Sequence, residues 1–266
     1  LLPTVVVALA QGAHADAAAA SCDPPARAAS HESGRVVILP GIANVEFQFA
    51  GFLKRVRAQL PEFDVEIQRW GPRLRPLHNL RAEENNRKAA ETLAAELAKW
   101  RAAHPEELLY LVGYSGGAGV AALSAADLPE GVRLDRLVLI AAAISPEFPL
   151  ADDALPHVSE FAANYSSERD WQVDWGTRTF GTIDGAKTES AGATGFEVDD
   201  DRLLEYRWSR ADLSYGHHGH HLSYLRPRWQ QAKLMPALDP ALTAREVERE
   251  WRRSCRDVGT DDSVSP

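Results

Sequence analysis

The stretch "LLYLVGYSGGAGVAAL", residues 108–123, sets one hydroxyl, Ser115, between an apolar run and a helix-like run of small residues. Gly113 and Gly117 stand two positions either side of it, so the pentapeptide satisfies Gly-x-Ser-x-Gly. A strand that turns at once into a helix strains the residue at its apex, and only glycine-sized neighbours clear the adjoining strand and helix. The hydroxyl then projects above the sheet edge, within reach of a substrate. The N–H of Gly116 opens the helix and points where negative charge develops on an attacked carbonyl. A phosphate-binding turn is the competing use of such a corner. No Gly-Lys-Ser/Thr is present, however, and the Gly-x-Gly-x-x-Gly dinucleotide pattern is absent from this turn. A second cluster is "GHHGHHL", which holds His217, His218, His220 and His221. One imidazole is enough for a general base. Zinc sites need three or four converging ligands, and adjacent His-His pairs rarely converge. A metal site at His217–His221 is therefore the rival reading, and no metal is expected.

The elements that must position these residues are legible as apolar runs that end in turn residues. "RVVILPG" (35–41), "DVEIQRWG" (64–71), "ELLYLVG" (107–113) and "LDRLVLIAAAIS" (134–145) read as strands, "SEFAANYSS" (159–167) as a weaker fifth and "LLEYRWS" (203–209) as a sixth. Between them, residues 44–61, 82–103 and 116–126 carry apolar positions at helical spacing. Strands alternating with helices imply parallel pairing with helices on both faces. Continuous runs such as "VVIL" and "LVLI" suit strands buried on both faces. In such sheets chemistry gathers at the C-terminal ends of the strands.

With this corner in this context the chain resembles the α/β-hydrolase superfamily over roughly residues 35–235, on "GYSGG" and the strand order. The resemblance implies an α/β fold: a mostly parallel, doubly wound sheet with helices on both faces. It also implies a serine esterase-like hydrolase with Ser, acid and His in that chain order. Carried over residue by residue, Ser115 is the nucleophile and Asp170, just past the fifth strand, is the acid, with Asp174 and Asp184 as alternatives. His221 is the base, with His218 next and His217 and His220 behind it. His221 is expected to open the final helix, "HLSYLRPRWQQAKL". The oxyanion would sit on the N–H groups of Gly116 and of Ile42, which follows the Pro-Gly end of the first strand. Residues 142–158 are too few for a helical cap, so no large cap domain is expected. The segment after Asp170 is expected to be a hairpin or flap, with Trp171, Trp175 and Phe180, beside Tyr114, walling an acyl pocket.

The bulk numbers suit a soluble globular protein. Of 266 residues, 45% are hydrophobic and 25% charged, ordinary values for a globular domain. A formal net charge of −9 argues against a nucleic-acid footprint. Residues 1–22 read as an export signal or lipoprotein leader, with Cys22 the candidate lipidation site and the only implied membrane anchor. The expected location is thus periplasmic, secreted or bound to the cell envelope. Residues 23–33 form a linker, 34–238 the hydrolase domain, and 239–266 a charged helix and a disordered tail. Only Cys22 and Cys255 are present, which excludes a disulfide framework but leaves one bridge open. No cofactor is expected, and the partner is an acyl ester or other small-molecule substrate. A catalytically dead binding protein of the same fold is the alternative function.

Overall fold

The computed structural model describes residues 33–170 and 181–256, except the side chains of 254–256. Six strands form one sheet: β1 (Gly34–Leu39), β2 (Phe63–Ile67), β3 (Leu108–Tyr114), β4 (Leu134–Ile140), β5 (Val158–Ser166) and β6 (Leu203–Arg207). Their order is β2-β1-β3-β4-β5-β6, and every pairing is parallel. The central strands are buried along almost their whole length, which explains their unbroken apolar runs. Pro40 and Gly41 end β1, because proline lacks the N–H that would continue the ladder.

The chain steps outward from β1 to β2, then crosses back to β3 and runs on to β6. Right-handed crossovers then put the first connection and the later ones on opposite faces. Helix α1 (Ala50–Gln59) belongs to one face; after the short α2 (Pro76–Arg81), α3 (Glu83–Ala103) and α4 (Gly116–Ala126) belong to the other. In α3, Ala90, Leu93, Ala94 and Leu97 recur at helical spacing and are all buried. Each leucine so buried contributes about 2 kcal/mol. Ten of the eleven α4 residues are buried. Their small side chains let this helix lie close to the sheet. The strand order reverses between β1 and β3, and at such a point the loops leaving the two strands of an open α/β sheet form a crevice.

The face carrying α1 is completed by later residues. A helical run through 227–238 and the C-terminal helix Ala244–Arg256 cover it. Gln59 donates to the Met235 carbonyl at 2.9 Å. Arg136, on β4 and 1% exposed, donates to the carbonyls of Ala237 (3.1 Å), Asp239 (2.7 Å) and Leu242 (2.8 Å). Its Nε meets Glu160 at 2.5 Å, and its guanidinium lies over the rings of Tyr110 and Phe161. Lys233 is buried as well, and its ammonium donates to the Trp251 carbonyl at 2.8 Å.

Two expectations need correction. The final helix does not open at His221: Pro227 forces extended backbone on Arg226, so His221–Leu225 form a separate 3-10 turn and the helix begins at Pro227. The described part of the segment after Asp170 is not a hairpin. Residues 181–202 pack as turns and a short helix, Ala191–Thr194, against the end of β4. Gly192 makes this possible, since a Cβ there would stand 2.3 Å from the Ala141 carbonyl carbon.

Candidate active site

Ser115 sits between β3 and α4 at φ 57°, ψ −123°. Non-glycine residues at positive φ are uncommon and costly, and such strain clusters at working sites. The conformation is held from several sides. The Ser115 N–H donates to the Ile140 carbonyl at 2.8 Å, and the Ser115 carbonyl accepts from Ala118 (3.0 Å) and Ala143 (3.1 Å). The flanking glycines are needed for a steric reason. A Cβ on Gly113 would lie 2.4 Å from the Ala118 Cα, and one on Gly117 would lie 2.3 Å from the Pro40 carbonyl oxygen.

The loop after β1 faces the serine. A Cβ on Gly41 would stand 3.4 Å from the Ser115 Cβ. Residues 40–43 point their carbonyls away into donors. Trp70 Nε1 donates to Pro40 (2.7 Å), the Asn44 N–H to Gly41 (2.8 Å), Asn79 Nδ2 to Ile42 (2.6 Å) and the Leu74 N–H to Ala43 (2.9 Å). Among the described residues, neither the Ile42 N–H nor the Gly116 N–H has a protein acceptor. The two donors expected to hold an oxyanion are thus unspent. Trp70 and Asn79 set the loop, and sequence reasoning missed both. The available signal was their place just beyond β2, where this fold collects chemistry.

The loops after β5 and β6 bring Asp170 and His221 together. His221 Nδ1 lies 2.8 Å from Asp170 Oδ2, and Asp170 is fully buried. Ser167 Oγ ties the first loop to the second, donating to the Gly219 carbonyl at 2.8 Å, and within the second loop Trp208 Nε1 donates to the His217 carbonyl at 3.0 Å. Gly219 turns at φ 85° to allow this, its N–H donating to His217 Nδ1 at 3.0 Å.

Tyr114 joins this pair to the serine corner. Its hydroxyl donates to the His221 carbonyl at 2.9 Å, and its ring lies 4.8 Å from the imidazole between centroids. Burial first, and the Asp170 charge second, push its phenol well above the ordinary value. It stays a neutral donor. Tyr114 was expected to line the pocket; it is buried behind the histidine and braces it.

The other histidines part company. His217 is buried against Tyr224 and Trp229, while His218 and His220 are exposed. Burial lowers the His217 pKa to about 3, so this ring is neutral. Among the described residues no three His, Cys, Asp or Glu side chains converge as a metal site. Asp184 accepts from the Ser145 N–H at 3.2 Å in a turn of its own. Asp174, Trp171, Trp175 and Phe180 lie outside the described residues.

The parallel sheet with this order, turning at β3 into a strained serine and then α4, defines the α/β-hydrolase fold. No protein-family model and no curated protein matches the chain. Similar solved structures include the ydeN gene product from B. subtilis (17% identity over 71% of this chain and 88% of that one, TM-score 0.43). An α/β hydrolase enzyme, MGS-MChE2, from the metagenome of Mar Chica lagoon sediments in Morocco is 16% identical over 85% and 93% (TM-score 0.45). The type II thioesterase BorB from the borrelidin biosynthetic cluster is 15% identical over 80% and 93% (TM-score 0.43).

Proposed function

We propose that the chain is a serine hydrolase that cleaves a carboxylic ester or thioester through Ser115, His221 and Asp170. The observation that carries this reading is the 2.8 Å contact of His221 with buried Asp170, braced by Tyr114 against the strained Ser115 corner. Asp170 accepts from Nδ1–H and fixes the tautomer, which leaves Nε2 as the base. Ser115 Oγ attacks the acyl carbon and its proton passes to Nε2. The carbonyl oxygen, now anionic, is received by the N–H groups of Gly116 and Ile42. Losing one such donor costs about 3 kcal/mol of barrier. Collapse expels the alcohol or thiol, which takes the proton from His221. Water activated by the same imidazole then hydrolyses the acyl-enzyme.

A fluorophosphonate probe tests the reading. Wild-type protein labels at Ser115; Ser115→Ala does not label, and His221→Ala and Asp170→Asn label at least about a thousandfold more slowly. Absence of labelling in folded wild type would remove the hydrolase reading and favour a binding protein. Labelling that survives His221→Ala would move the base to His218.

A further inference from the structure

The described residues expose five large apolar side chains: Phe47, Leu74, Leu77, Leu213 and Leu222. All five lie in connections leaving the C-terminal ends of β1, β2 or β6, the edge that carries Ser115. Leu222 adjoins His221. Phe47, Leu74 and Leu77 are 69%, 68% and 53% exposed and flank the Pro40–Asn44 loop. Phe47 shares a groove of about 640 Å³ with Leu53, Arg57, Ile67, Arg69 and Arg73.

Leu74 is held at φ 58° with its side chain in water. A leucine there is strained and gains nothing by burial. The charge around it is one-sided. Four arginines and no carboxylate stand between Glu66 and Glu83, in a chain of net charge −9. Glu46 and Glu66, the nearest acids of the groove, are paired with Arg69 and Arg35. Among the described residues no carboxylate pairs with exposed Arg73 or Arg75, either side of Leu74.

We propose that Phe47 and residues 69–81 form a docking surface for an anionic phospholipid membrane. Apolar tips ringed by arginines fit the boundary between headgroups and acyl chains. Each arginine near an anionic surface strengthens partitioning about fivefold. An acid-poor patch on an otherwise acidic protein also fixes which way round it lands, with the Ser115 edge toward the lipid. The same segment holds the Ile42 loop through Leu74 and Asn79, so docking bears directly on the crevice. The inference is independent of the reaction at Ser115.

The test is co-sedimentation of the full chain, as Ser115→Ala, with vesicles of phosphatidylcholine alone and of phosphatidylcholine mixed equally with phosphatidylglycerol. Binding is expected to the mixed vesicles only and to weaken with salt. Arg73→Glu with Arg75→Glu should reduce it by at least about twentyfold. Leu74→Asn should reduce it too while the melting temperature holds or rises, since asparagine tolerates positive φ. That second variant separates lost docking from lost folding. Equal binding to both vesicles, or binding that survives these substitutions because residues 1–22 carry it, overturns the proposal. So does a dimer in light scattering that Leu74→Asn dissociates, which assigns the face to a second copy.

Discussion

Ser115 and His217 show opposite ways of holding a polar residue at the site. Ser115 is held in an unfavourable backbone conformation. Relief of that strain is measurable: Ser115→Gly should abolish probe labelling and raise stability by about 1 kcal/mol, read from urea unfolding. Loss of stability in that variant would mean that the corner is not strained. His217 is fully buried, its Nδ1 spent on Gly219 and its Nε2 without a partner among the described residues. Its pKa of about 3 lies below the ordinary 6.5, so between these values the unfolded chain binds the extra proton. The stability this neutral ring supports is complete above pH 6.5 and falls as pH drops toward 3, by up to ~1.4 kcal/mol per pH unit. His217→Gln should flatten the melting temperature across that window; an unchanged slope would place the sensitivity elsewhere. The strained corner at Ser115 was legible because its requirement is local: two glycines at fixed spacing. The division of labour among the histidines was not, since only tertiary packing buries one ring and aims another at Asp170.

At the level of elements, the six strands were legible because burial on both faces demands unbroken apolar runs. Helices α3 and α4 were legible for a similar reason, with the small residues of α4 marking close approach to the sheet. Trp70 and Asn79 were not, because they bond to backbone carbonyls of a distant loop, which any residue type supplies. Proline decided the misread helix at His221: the turn before Pro227 lets His221 stand free of the helix ladder. The strand–serine–helix unit makes its own prediction. Gly117→Ala drives a methyl into the Leu39 and Pro40 carbonyls. It should cost about 3 kcal/mol and abolish labelling, with circular dichroism and probe readout both required. A stable, labelling variant would show that β1 yields to α4.

Across the whole molecule, the working edge and the stabilising face are separate. Ser115, Asp170, His221 and the exposed apolar residues gather where strands end, while the C-terminal helix packs on one face of β5 and β6. Trp251 is buried beside Tyr165 and Tyr206, and its Nε1 donates to the Lys233 carbonyl at 2.7 Å. Trp251→Ala should therefore cost about 3–5 kcal/mol in urea unfolding and leave turnover per folded molecule unchanged. A fall in turnover per folded molecule would tie this helix to the crevice. Arg136 extends the same separation into time. Its carbonyl partner on Ala237 is 101 residues away in the chain. A ribosome delivers β4 and Glu160 long before that partner exists, with N–H groups on Nη1 and Nη2 that water must serve until then. The crevice strands emerge early, but the core beneath them closes only when residues 237–242 arrive. A nascent chain stalled before that point is no miniature enzyme but a client for chaperones and proteases.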